Sequence, residues 1–144
     1  MRLTAHTDYG LRLLMLSAQA SPGPISIVTV ATQLKVSRHH LMKVAQSLTK
    51  AGLMETVRGR SGGFRLAKLP EEIGVGDAIR SLEVALGLVE CMRSNDSQCP
   101  LLPGCRLPQL FREAGDAFFH ILDRCTLHDL VKENHQLIQL SESR

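Results

Sequence analysis

A chain of 144 residues with 44% hydrophobic content can hold one core, or a small domain with an appended helical element, and is too short for two large domains. Its longest apolar runs fall far short of a membrane span, and Arg2, Asp8 and Arg12 interrupt the first twenty residues, so neither a membrane segment nor a signal peptide is expected and a cytoplasmic protein is. Net charge is +3, but residues 1–70 carry +8 and residues 71–144 carry −5, and only the basic half suits a polyanion such as nucleic acid.

From the N-terminus, Leu3 to Ala20 has Tyr9, Leu13, Leu16 and Ala20 at helical spacing and stops at Ser21-Pro-Gly-Pro24. Asp8 lies on the first turns of this helix, where a negative side chain is favourable with the helix dipole. Ile27 to Leu34 is a short helix, Lys35 and Val36 make a tight turn, and Ser37 is a natural N-cap for a second helix to about Ala51, which together is helix-turn-helix grammar. On that second helix Leu41, Val44, Ala45 and Leu48 share one face and must meet the core. His39, Lys43, Gln46 and Lys50 then face the other way, flanked by Arg38 and Met42, with no carboxylate among them. A donor-rich face of this kind is what a recognition helix offers a major groove: His39 and Lys43 are placed for base edges and Lys50 for phosphates.

Leu53 to Arg58 and Phe64 to Ala67 have strand character around Gly59-Arg-Ser-Gly-Gly63, so a β-hairpin with a basic tip is expected. Directly after a helix-turn-helix it reads as a wing, with Arg58 and Arg60 available for phosphates or a minor groove. A further helical region begins in Glu71 to Glu83, and Val84 to Val89 leads into a cysteine-bearing loop. From Pro108 a helix is expected to about Arg124. Its seam of Leu107, Phe111, Ala114, Phe118, Ile121 and Cys125, widened by Leu110, Ala117 and Leu122, is too short for an independent coiled coil and suits packing against a second copy of the chain. Thr126-Leu-His-Asp129 resembles a cap for a last short helix, after which the polar tail is expected to fray.

Three of the four cysteines, Cys91, Cys99 and Cys105, stand on a stretch that Pro100, Pro103 and Gly104 keep irregular. In a reducing compartment they read as metal ligands rather than a disulfide framework, and thiolates suit zinc, copper(I) or an iron-sulfur cluster. Structural zinc sites pair their cysteines two to four residues apart; these gaps are wider and fit a bulkier inorganic core, with zinc kept as the alternative. The fourth ligand stays open among Cys125, His6 and Asp8, and Cys125 reads as packing. No Cys-x-x-Cys, nucleophile-and-base arrangement or cofactor loop is present, so an enzyme is not expected.

Thr7-Asp-Tyr-Gly-Leu-Arg12, Val36-Ser-Arg-His-His-Leu41, the run from Gly52 to Leu66 and the Cys91, Cys99, Cys105 triad resemble the winged-helix iron-sulfur transcriptional repressor family of the IscR and NsrR type over residues 1 to about 131. The sequence looks most like the nitric-oxide-sensitive members. That resemblance implies a homodimeric repressor of palindromic double-stranded DNA, with nitric oxide as signal, and an alternative role in redox sensing or in regulating cluster biogenesis. It implies a cluster, [4Fe-4S] with [2Fe-2S] as the alternative, held by Cys91, Cys99 and Cys105 and by Asp8 of the other subunit. Members that use a histidine place it three residues after the third cysteine, where this chain has Pro108, which cannot ligate. Ser37, Arg38, His39, Met42, Lys43, Lys50, Arg58 and Arg60 are then the expected DNA contacts, and Phe111, Ala114, Phe118 and Ile121 the expected dimer contacts.

The expected fold is mainly α: a winged helix-turn-helix DNA-binding domain over residues 1–70 and a linking helix with the cysteine loop over 71–106. A dimerisation helix and short C-terminal helix follow over 107–131, and a tail over 132–144.

Overall fold

The computed structural model describes residues 2–59, 62–83, 87, 89–92 and 98–132. Arg60, most of the Val84 to Val89 segment and the tail beyond residue 132 therefore lie outside the described residues.

α1 (Ala5–Ala20) lies at the centre, packed against α3, α4, α6 and β2, and buries Gly10, Leu13, Leu14, Leu16 and Ser17. It starts two residues later than the apolar spacing suggests because Thr4 is its N-cap, accepting from the Thr7 N–H. α2 (Ile27–Leu34) ends at Lys35, which takes a left-handed conformation (φ 55°) and closes the turn by donating its N–H to Thr32 at 3.2 Å. Ser37 then caps α3 (Arg38–Lys50) through the His40 N–H, and Leu41, Val44, Ala45 and Leu48 are each fully buried against α1 and α2, as the periodicity requires.

β1 (Met54–Val57) and β2 (Gly63–Leu66) pair antiparallel, with Met54 opposite Leu66 and Val57 opposite Gly63. Phe64 also exchanges two backbone hydrogen bonds with Ile25, at 2.8 and 3.0 Å, which seats the hairpin on the start of the helix-turn-helix. Only Gly63 permits this approach, since a Cβ there would collide with the Ile25 carbonyl. The fold is thus mainly helical with a two-stranded wing.

After a short 3-10 turn (Pro70–Glu72) come α4 (Val75–Leu82), α5 (Leu107–Leu122) and α6 (Leu127–Val131). Ile73, Ala78, Leu82 and Leu127 join the same core as α1 to α3. α5 ends at Leu122, so Cys125, expected on its seam, falls beyond the helix. The chain turns there because the Cys125 carbonyl accepts from the Val75 N–H at 2.9 Å and Leu127 donates to the Ile73 carbonyl at 2.8 Å. Thr126 and Asp129 form the expected capping box of α6. α5 contributes no buried residue to this chain, and no helix among the described residues is long and apolar enough to cross a membrane.

Candidate nucleic-acid interface and cysteine loop

With one face of α3 consumed by the core, the other is set outward by geometry alone. Ser37, Arg38, His39, Lys43, Gln46 and Lys50 are exposed, while Met42 is half-buried and packs against the core edge. The face carries no acidic group, because α3 has none in its sequence. Arg58 is exposed at the end of β1, and Arg60 lies outside the described residues. The remaining arginine of the wing, Arg65, is paired with Glu55 at 2.5 Å across the hairpin, so its charge is partly spent within the wing. The basic residues thus come from α3 and from one flank of the hairpin, the two elements that a winged helix applies to a duplex.

The stretch from Cys91 to Cys105 holds only two 3-10 turns among its described residues, Glu90–Met92 and Leu102–Gly104. Cys91 lies in the first and Cys105 caps the second, both half-buried, while Cys99 is exposed. None of the four cysteines, all described, is in a disulfide. Cys125 is half-buried and its thiol points to the Thr126 carbonyl at 3.6 Å. Three thiols on one irregular loop are the right donor chemistry for a soft, bulky inorganic core. Among the described residues, however, no three His, Cys, Asp or Glu side chains gather into a ligand set. Asp8 is half-exposed on the first turn of α1 and ion-pairs with Arg12 at 2.9 Å.

Of the expected dimer contacts, Phe111 and Phe118 are half-buried and Ala114 and Ile121 exposed, Ile121 to 67%. Leu107 and Leu110 are likewise more than half exposed, so the helix presents an apolar face that its own chain leaves uncovered.

Four residues of consequence escape sequence reasoning. Arg80 of α4 makes two 2.7 Å bonds to Asp123 and lies 4.2 Å above the Phe119 ring, clamping α5 to the body. The hydrogen bond from Arg80 holds the Asp123 carboxyl below its usual range and raises the guanidinium in turn. Glu83, at the end of α4, accepts from the Thr4 N–H at the start of α1 at 2.7 Å. His40 turns away from the His39 face: its ring meets Tyr9 edge-on at 5.2 Å and stacks with His6 at 6.4 Å. The apolar spacing of α3 shows only that His40 lies between the two faces, and nothing local shows its partners.

A sequence profile of the Rrf2 family, described as Iron-dependent Transcriptional regulator, matches residues 3–133. The chain belongs to the Rrf2 family. Rrf2 membership makes it a DNA-binding transcription regulator, in keeping with the exposed basic face of α3. It is 41% identical over 141 residues to the HTH-type transcriptional regulator NsrR of Bacillus subtilis (strain 168), covering 97% of each chain. It is 43% identical to the protein of the same name from Geobacillus kaustophilus (strain HTA426), covering 100% of this chain and 99% of that one. Among solved Rrf2-like structures, CymR (YrzC), the global cysteine regulator of B. subtilis, superposes with a TM-score of 0.74 at 31% identity, covering 93% of this chain and 98% of that one. T. potens IscR superposes with a TM-score of 0.75 at 28% identity, covering 94% and 90%.

Proposed function

We propose that the chain is a nitric-oxide-sensing repressor that binds a palindromic operator as an iron-sulfur homodimer. The observation that carries the DNA half is the exposed, carboxylate-free face of α3, opposite its fully buried stripe. The sensing half is supported by the three thiols on one loop and by near-full-length similarity to regulators named NsrR.

In this reading α3 enters the major groove with His39 and Lys43 at base edges, while Ser37 and Arg38 at its N-terminus, Lys50, and Arg58 and Arg60 of the wing fix the register on phosphates. The uncovered face of α5, with Phe111, Ala114, Phe118 and Ile121, packs on its twin and sets the two recognition helices one helical turn apart, about 34–36 Å. Cys91, Cys99 and Cys105 hold the cluster, [4Fe-4S] in the preferred form, and Asp8 of the other protomer supplies the fourth ligand. When bound, such a cluster supplies iron that nitric oxide can reach.

The protein's own part is to make one ligand easy to lose. A carboxylate is the hard donor among soft thiolates. Asp8 also has a second claimant, because Arg12 one turn along α1 already pairs with it in the single chain. Transfer of Asp8 from the partner's loop to Arg12 would unlink the two protomers at α1 and shift the dimer between two arrangements.

Operator binding by anaerobically purified, cluster-loaded protein, measured by fluorescence anisotropy with and without nitric oxide, tests the reading. Affinity is expected to fall at least about tenfold on exposure, the size of an ordinary coupling between two sites. Equal affinity in both states, or a colourless protein holding stoichiometric zinc, would defeat it.

A further inference from the structure

A helix start leaves its first N–H groups without intrahelical partners. The common local remedy pairs an N-cap hydroxyl with a Glu or Gln three residues on, whose side chain reaches back to the N-cap N–H. α1 has only half of this device. The Thr4 hydroxyl oxygen accepts from the Thr7 N–H at 3.2 Å, but the residue three on is Thr7 itself, a buried side chain too short to return to the Thr4 backbone. The missing carboxylate comes from the far end of another helix. Glu83 accepts from the Thr4 N–H at 2.7 Å and from the Thr4 hydroxyl at 3.1 Å, across 79 positions of sequence, and the Thr7 hydroxyl lies 3.1 Å from the Thr4 hydroxyl. Burial works against its charge, yet these hydrogen bonds and nearby His6 outweigh that and hold the carboxyl below its ordinary range. An anion there also faces the positive end of the α1 dipole.

Glu83 is the C-cap residue of α4 and stands eight positions ahead of Cys91. Its neighbour Leu82 is packed so closely on α1 that a Cβ at Gly10 would strike it. The cap of α1 is therefore attached to the segment from which the cysteine loop departs. From its first two turns α1 offers His6 and Tyr9 to His40, which belongs to the first turn of α3 beside His39. Glu83 to Thr4, α1 itself, and His6 and Tyr9 to His40 form a run of contacts from the end of α4, eight positions ahead of Cys91, to the recognition helix.

We propose that Glu83 is a positioning residue that completes the cap of α1 in trans and couples the cysteine loop to α3 within one protomer. The inference deepens the sensing function proposed above and rests on it, while the contacts themselves do not. It differs from the tie between protomers through Asp8, since it would operate in each protomer separately. A residue serving only as a cap would lower the stability of cluster-loaded and cluster-free protein alike and leave the ratio of their operator affinities unchanged.

Two measurements on the full chain decide it, comparing the wild type with Glu83→Ala and Glu83→Gln. In the first, amide exchange of cluster-free protein is followed by mass spectrometry. Loss of a cap should speed exchange about two- to thirtyfold in the first turn of α1, and the coupling requires faster exchange in residues 38–41 of α3 as well. Glu83→Gln should remain near wild type, because its amide oxygen still accepts from the Thr4 N–H. Acceleration confined to α1 would overturn the proposal. In the second, the ratio of operator affinities with and without the cluster should shrink toward one in Glu83→Ala while the visible spectrum of the cluster is unchanged; an unaltered ratio would overturn the coupling. Should the wild type itself bind equally in both states, the sensing function fails and the exchange result alone decides the link. If Glu83→Ala does not fold, Glu83→Asp, one methylene too short to keep its bonds to the Thr4 N–H and hydroxyl, takes its place in both measurements.

Discussion

Three carboxylates hold this structure together at points where a helix begins or ends. Glu83, Asp123 and Asp129 all have carboxyl groups below their ordinary range. For Asp129 the main causes are the backbone N–H and hydroxyl of Thr126, then Lys132. A carboxyl lowered in the folded state binds its proton more readily when unfolded. Its stabilising contribution is therefore complete above the unfolded value and is lost as pH falls through the folded one. With ordinary values of 3.8 for Asp and 4.5 for Glu, the window opens below about pH 4.5. Thermal unfolding should show a midpoint that declines from there, and Asp129→Asn should start lower at neutral pH and decline less steeply. A variant whose profile runs parallel to wild type would show that Asp129 titrates alike in both states.

At the scale of elements, what could be read from the sequence was whatever is decided within a few residues. Ser37, Thr126 with Asp129, and the Pro108 start announce their helices because caps are local chemistry. The two faces of α3 were equally legible, since a 3.6-residue period allows only one assignment once Leu41, Val44, Ala45 and Leu48 face inward. Contacts across long separations were not. Nothing around Glu83 announces Thr4, and nothing around Arg80 announces Asp123, because each pair exists only once α4 has docked. The cysteine spacing named candidate donors but could not show whether they converge, and among the described residues no three such side chains gather. The wing is positioned by a similar long-range contact. Gly63→Ala would drive a Cβ into the Ile25 carbonyl, and backbone cannot yield as a side-chain tip can. A cost of at least about 2 kcal/mol in stability is expected, at the upper side of overpacking effects, and a denaturant titration would measure it. An unchanged midpoint would mean that the wing tolerates separation from Ile25.

For the whole molecule, the uneven charge and the uncovered apolar helix divide the work. The basic first half suits a polyanion, and in the proposed homodimer the α5 face, with Leu107, Leu110 and Ile121 each more than half exposed, packs against a second copy. Ile121→Glu would place a charge within that contact. Sedimentation should find the wild type dimeric and the variant monomeric, with operator binding weakened because a monomer reaches one half-site. A variant that remains a dimer would move the interface elsewhere.

The clamp between Arg80 and Asp123 sits near one end of α5. Sixteen residues at about 1.5 Å each make a rod of about 24 Å. Pivoted at the clamp, it would carry Leu107 and the adjoining Cys105 through about 4 Å for a tilt of about 10°. A small angular change at the clamp is thus magnified into a displacement of several ångströms at the opposite tip, and a shift at Cys105 reaches the body as a proportionally smaller displacement.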